Sequence, residues 1–181
     1  MSTGLSLVSD LERLAIALGG EAEESSKVSL AAVAERIAKS LGVRADEVAI
    51  LNVSRRWRHL HFLVPEALRN VGYIPLSSNS ALAARTARES RPEIVNDFPK
   101  QRHATVFEGV KVGPDTAQAI QKIISAPILA DGRVVGVIQI SRKGSHALHS
   151  GRDFTPDDLG KVLALCKPLG KLLPHFSGEK E

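Results

Sequence analysis

The feature that most constrains this chain is an Asp-Gly pair between two apolar runs. Residues 123–130 and 133–141 are rich in Ile, Val, Leu and Ala, and only Asp131 and Gly132 separate them. An Asp-Gly pair in this setting is typical of a tight β-hairpin turn. We expect the hairpin to form the core of a sheet. A bulge or a local edge position is expected at Pro127, which cannot donate a backbone hydrogen bond.

The rest of the chain alternates between strand and helix patterns, which indicates an α+β domain. β-Branched and apolar residues predict an antiparallel hairpin at residues 47–54 and 57–64, with shorter strands near residues 73–76 and 93–96. Apolar residues at helical spacing, together with capping residues, predict helices at residues 7–18, 29–41 and 81–89 and from residue 155 onward.

Residues 98–121 form a segment of a different kind. This segment is polar, is interrupted by prolines and glycines, and has a helical pattern only at residues 114–121. We expect a long connection that lies over another part of the molecule.

Composition excludes several classes of protein. The 181 residues fit one domain, or one domain with a helical extension. The single cysteine, Cys166, excludes an intrachain disulfide and a cysteine-based zinc site, and it favours the reducing cytoplasm. Asp10, Glu12 and Arg13 interrupt the first apolar run, so neither a signal peptide nor a membrane span is predicted.

The order of these elements resembles that of a GAF domain. The resemblance covers roughly residues 29–173 and depends on two groups of motifs. The first is Tyr-Ile-Pro-Leu at 73–76, followed by Arg-Pro-Glu-Ile-Val-Asn-Asp at 91–97; the second is Ser-Ala-Pro-Ile-Leu at 125–129, followed by Gly-Val-Ile-Gln-Ile at 136–140.

The resemblance implies a profilin-like, PAS-related fold. Such a fold has a central antiparallel sheet, with helices packed on one face and a small-molecule pocket on the other, which the segment after Asp97 closes. We divide the chain into an amphipathic helix and linker at 1–28, a GAF-like domain at 29–176 and a disordered tail at 177–181.

Five residues are candidates for the pocket. Gln139 lies on the more polar face of its strand, although its amide could instead lie in water at a strand end. Asn96 and Asp97 follow a short strand and could bind a ligand, but backbone capping is the commoner role of such residues. His103 and Phe107 lie in the predicted lid, where exposed loop residues are also common.

An enzyme is not expected, because no nucleophile with an adjacent base and no paired carboxylates can be assembled. Methionine-sulfoxide-reducing relatives require several cysteines, and bilin-binding relatives require an attachment cysteine beyond their signature. The signature of cyclic-nucleotide-binding modules is absent as well.

Cys166 lies on the apolar side of a helix, where a buried structural thiol is expected. No metal is assigned, since His146 and His149 lack a convincing third ligand.

The basic residues near Trp57, within residues 55–61, could contact phosphates or could form a solvated hairpin tip. A nucleic-acid partner is not expected, because the net charge of +4 falls short of a polybasic arm and aromatic residues are few. No cofactor is assigned.

We therefore expect a free-standing sensory or regulatory module. It would bind an unidentified small molecule between the sheet and residues 98–121, and would signal through a homodimer formed by its terminal helices. The alternative is a dimerisation or protein-interaction module without a ligand.

Overall fold

A computed structural model of the chain describes residues 3–19, 29–100 and 119–176. The helices in these ranges are α1 (Thr3–Gly19), α2 (Leu30–Leu41), α3 (Leu82–Glu89) and α4 (Pro156–Leu172). The strands are β1 (Val48–Ser54), β2 (His59–Val64), β3 (Ile74–Pro75), β4 (Glu93–Val95), β5 (Ala119–Ala130) and β6 (Arg133–Gly144). The elements fall where the sequence patterns predict them, within a few residues at most boundaries.

The strands form one antiparallel sheet in the order β3-β2-β1-β6-β5-β4. β5 and β6 make its longest pair, and the predicted hairpin between them is confirmed. Asp131 and Gly132 have φ values of 51° and 77° in its turn. Both values are left-handed, as a tight hairpin turn of type I′ requires.

Local capping explains where the helices begin and end. Ser29 Oγ accepts a hydrogen bond from Ala32 N at 3.1 Å at the start of α2. Gly42 ends the same helix with a left-handed φ of 68°, a conformation that glycine adopts without a steric penalty. At α4, Thr155 and Asp158 form a capping box, with Asp158 N donating to Thr155 Oγ1 at 3.3 Å.

Alternate side chains of the sheet enter two separate apolar layers. The larger layer lies between the sheet and the helices α1, α2 and α4, and includes Leu11, Ile37, Ile50, Ile138 and Leu169. The smaller layer lies on the opposite face, beneath α3, and includes Leu51, Leu60, Phe62, Ala83 and Val137. The predicted α+β architecture is confirmed, with α3 as the one described helix on the second face.

α4 packs closely against β5 at Gly170. A Cβ atom at Gly170 would overlap the backbone carbonyl of Leu129, so only glycine lets α4 approach β5 this closely.

The pairing of β5 with β6 departs from the regular register of an ideal hairpin. Pairing with β4 ends at Ser125, so Pro127 lies at a local edge of the sheet, as predicted. A register shift follows between Ile128 and Leu129. β5 begins at Ala119, so the prediction of a helix at residues 119–121 is wrong. Ala119 and Ile120 pair with β6, and a register shift lies between Ile120 and Lys122.

The linker at residues 20–28 and the tail at 177–181 lie outside the described residues, so both remain predictions. Across the described ranges, no helix is long and apolar enough to span a membrane.

Candidate functional site

The second face of the sheet carries a buried chain of neutral polar side chains. Thr86 of α3 donates its hydroxyl to Leu82 O at 2.9 Å, and its Oγ1 lies 2.7 Å from Ser125 Oγ of β5. Gln139 of β6 donates Nε2 to the same Ser125 Oγ at 3.2 Å. With the Thr86 proton already directed at Leu82, the Ser125 hydroxyl donates to Thr86. The three hydrogen bonds therefore run in one direction, from the Gln139 amide to the Leu82 carbonyl oxygen.

We call the side chains of Thr86, Ser125 and Gln139 the polar triad. All three side chains are deeply buried. Thr86 and Ser125 are 0% exposed and Gln139 is 4% exposed. The interpretation of Gln139 as a water-facing residue at a strand end is therefore wrong, because Gln139 lies opposite Ser125 in the middle of the β5–β6 pair. Buried polar groups of this kind are stable only where hydrogen bonds replace water.

The Gln139 amide also carries an acceptor. Its nitrogen donates to Ser125 Oγ, and its carbonyl oxygen is the other hydrogen-bonding atom of the side chain. An amide oxygen can accept two hydrogen bonds. Since none of the three side chains is charged, this face is suited to a neutral hydrogen-bond donor more than to an ion.

An apolar cluster lies on the same face of the sheet as the polar triad. Phe98, Leu82 and Ile123 form a buried cluster on this face, with Phe98 2% exposed. Phe98 begins the turn Phe98–Lys100, and it thereby fixes the start of the predicted lid against α3 and β5. A charged pair closes the neighbouring edge, where Arg85 Nη2 donates to Glu93 Oε2 at 2.7 Å.

Asn96 has a backbone-binding role in the structure. Its Nδ2 donates to Phe154 O at 3.0 Å, and Phe154 N donates to its Oδ1 at 2.8 Å. Both polar atoms of the amide thus join the end of β4 to the segment that enters α4. Asp97, the next residue, is exposed. Of the two roles considered for Asn96, the geometry favours capping of backbone groups.

The predicted pocket residues are only partly brought together. Gln139 lies within the polar triad, whereas Asn96 faces Phe154. His103 and Phe107 lie outside the described residues, and their roles remain predictions. Sequence reasoning missed Thr86 and Ser125. The one signal for Ser125 was its place on the strand paired with Gln139.

Cys166 has the environment predicted for a structural thiol. The residue is 7% exposed on α4, and burial raises the pKa of its thiol to about 12. A thiol that remains protonated at neutral pH is a poor nucleophile.

The histidines of the loop before α4 contact each other. The rings of His146 and His149 lie with their centroids 3.8 Å apart. Across residues 3–19, 29–100 and 119–176, no group of three or more His, Cys, Asp or Glu residues is placed to hold a metal ion.

The terminal helices pack against each other within one chain. Leu7, Leu11 and Ala15 of α1 are buried in the same apolar layer as the inner side of α4. Ile16 of α1 and Leu163 of α4 remain 74% and 41% exposed. Dimerisation through these helices remains a prediction, and it would have to use such outward residues.

Comparison with known proteins agrees with this architecture. The family model for the GAF domain matches residues 27–172. The GAF domain of an Acinetobacter phosphoenolpyruvate-protein phosphotransferase aligns with a TM-score of 0.63 at 15% identity, covering 94% of each chain.

Two further solved structures have similar folds. Free methionine-R-sulfoxide reductase from Neisseria meningitidis, in complex with its substrate, gives a TM-score of 0.59 at 18% identity, covering 92% of this chain and 87% of the reductase. A fragment of a methyl-accepting chemotaxis protein gives 0.59 at 14% identity, covering 94% of this chain and 96% of the fragment. A comparison with curated protein sequences found no match.

Proposed function

The chain belongs to the GAF domain family, and on that basis we propose that it is a non-catalytic sensory or regulatory domain that binds a small molecule. The observation that supports this most is the polar triad, which lies buried on the sheet face opposite α1, α2 and α4. Apolar walls with a few fixed polar groups are characteristic of small-molecule sites.

The ligand would bind between this face and residues 98–121. Its apolar part would contact the cluster around Phe98 and Ile123, and a donor group would reach the Gln139 carbonyl oxygen. Binding would favour the conformation in which residues 98–121 cover the ligand. A ligand shifts such an equilibrium only by its difference in affinity for the two conformations, so contacts with this segment would determine the response.

A reaction at this site is not proposed. The polar triad contains no acid, base or ionised nucleophile, and the Cys166 thiol is protonated and buried in the layer on the opposite face. The likeness to a methionine-R-sulfoxide reductase is a likeness of fold at 18% identity. We also propose a reducing, cytoplasmic setting, because the one cysteine forms no intrachain disulfide.

Native mass spectrometry of the purified protein is the first test, followed by denaturation and analysis of any released molecule. We expect a stoichiometric ligand in the native protein. Gln139→Leu would remove the proposed acceptor and reduce the ligand-bound fraction.

Ser141→Ala is the control, since Ser141 is also buried in β6 but donates to Glu47 O at 3.3 Å, outside the polar triad. Equal ligand occupancy in both variants would contradict the role of Gln139. Hydrogen exchange at residues 98–121 that is unchanged by the recovered ligand would contradict the proposed lid.

A second candidate function is a dimerisation or interaction module without a ligand. The exposed Ile16 and Leu163 favour it, because large apolar side chains on the outside of a helix layer are suited to an interface. Light scattering at high micromolar concentration should then give a dimer that Ile16→Lys with Leu163→Lys converts to a monomer. A monomeric unmodified protein would count against this candidate.

A further inference from the structure

The hairpin turn between β1 and β2 carries a group of cationic and aromatic side chains that the ligand site does not use. We call it the tip cluster, and it consists of Arg55, Arg56, Trp57, Arg58, His59 and Tyr73. Trp57 is 63% exposed and Tyr73 is 68% exposed. Large aromatic side chains are usually more buried than this. All three arginines are exposed as well.

The arginines of the tip cluster differ from most others in the protein. Elsewhere, six arginines form ion pairs with carboxylates: Arg13, Arg36, Arg44, Arg85, Arg91 and Arg152. Within the described ranges, Arg55, Arg56 and Arg58 form none. Three neighbouring positive charges without an internal counter-charge produce a local positive potential that attracts an anionic surface.

The tip cluster is held in a defined conformation. The Ser54 hydroxyl, which is fully buried, accepts a hydrogen bond from Trp57 N at 3.3 Å. Leu76 N donates to Arg58 O at 3.0 Å, which joins the segment after β3 to the turn. Tyr73 packs on His59 with ring centroids 4.2 Å apart. A preorganised surface loses less conformational entropy when it binds.

Arg58 occupies a backbone position that glycine would fill with less strain. Its φ is 53°, and a residue in this region of a hairpin turn is commonly glycine or asparagine. The chain nevertheless has a third arginine here.

We propose that the tip cluster is a docking surface for an acidic segment of a partner protein. Trp, Tyr and Arg are the residue types that contribute most to binding at protein–protein interfaces, and here they lie together beside unpaired positive charge. Nucleic acid is the less suitable partner. Arg56 already lies 5.0 Å from the Trp57 ring and His59 covers one face of Tyr73, so bases would have to displace them to stack on those faces.

Trp57 makes this proposal directly measurable, because it is the single tryptophan of the chain. The probe is a labelled synthetic peptide in which glutamates flank one leucine, and the same peptide with glutamines is its neutral control. We expect the acidic peptide to shift the Trp57 emission to shorter wavelength at low salt and to bind more weakly as salt rises. The glutamine peptide should produce no shift.

Variants separate the tip cluster from general attraction between charges. Arg55→Glu with Arg56→Glu should weaken peptide binding, followed by anisotropy, by about 10-fold or more. Lys161→Glu with Lys167→Glu changes the net charge equally at exposed positions of α4 and should change affinity by less than about 2-fold. Arg58→Gly should also weaken binding while preserving the unfolding midpoint, because glycine accommodates the left-handed backbone.

Three results would overturn the proposal. Equal weakening by the two double variants would show general attraction to a basic protein. The absence of an emission shift with the acidic peptide would show that Trp57 is not at the contact. Tighter binding of a single-stranded oligothymidylate of equal charge would identify a nucleic-acid surface.

Discussion

Ser125 is the middle residue of the polar triad, and its removal should affect both neighbours. Ser125→Ala leaves Gln139 Nε2 buried without its acceptor, so we expect the free energy of unfolding to fall by about 1 to 3 kcal/mol. Thr86→Val should cost a similar amount, because it leaves the buried Ser125 hydroxyl without the acceptor to which it donates. Chemical denaturation measures both values. A loss below about 0.5 kcal/mol in either variant would contradict the role of these buried hydrogen bonds.

Asp158 should make stability depend on pH in the acid range. Arg152 Nη1 and Nη2 donate to its two oxygens at 2.7 and 2.8 Å, and this pair holds the pKa of the Asp158 carboxyl well below its ordinary value. An unfolded aspartate titrates near pH ~3.9, so below that pH the unfolded chain binds a proton that the folded chain does not.

The stabilisation is therefore complete above about pH 5 and is lost as the pH falls toward the pKa of the folded state. We expect the unfolding free energy of Asp158→Asn to decline less steeply than that of the unmodified protein between about pH 5 and pH 2. Denaturant titrations across this range measure both slopes. Parallel curves would contradict the role of the carboxyl.

Among the elements, α4 offers two glycines with opposite environments. Gly170→Ala would place a methyl group on the Leu129 carbonyl, and we expect a loss of about 1 to 3 kcal/mol as α4 and β5 move apart. At Gly160, in the same helix, an added methyl group would have no neighbour within 4 Å beyond the adjacent residues and the local helix backbone, so Gly160→Ala should stabilise the protein by about 0.5 to 1 kcal/mol. Thermal unfolding of both variants gives the comparison. Destabilisation by Gly160→Ala would mean that α4 is not regular there.

The two faces of the sheet are covered differently. Three helices cover the first face with a continuous apolar layer, whereas in the described part of the chain the second face is covered by the short α3 and the buried start of residues 98–121. This asymmetry explains why we assign stability to the first face and ligand binding to the second.

At the scale of the whole molecule, α1 lies before the region that the family model matches, which begins at residue 27. Leu11 is nevertheless 1% exposed in the main apolar layer. Leu11→Ala should lower the free energy of unfolding by about 2 to 5 kcal/mol, while Ile16→Ala, on the outside of the same helix, should change it by less than about 0.5 kcal/mol. Denaturant unfolding of both variants measures the two changes in the free energy of unfolding. Two equally small effects would show that α1 folds separately.

Much of the fold could be predicted because its signals are local. The turn at Asp131 and Gly132, the cap at Ser29 and the capping box at Thr155 depend on residues a few positions apart, and each is present in the structure. Hydrophobic periodicity located the helices and strands for the same reason. The sequence by itself therefore determined the elements, their order and the α+β class.

The tertiary structure decided which residues meet. Counting back from the turn without a bulge places Ser125 opposite Ile138, but the register shift at Leu129 places it opposite Gln139 and creates the polar triad. The pairing of Asn96 with Phe154 joins positions far apart in sequence. At residues 119–121, pairing with β6 outweighs the local helical pattern. Strand pairing and packing draw on the whole molecule, so these contacts cannot be inferred from local preferences alone.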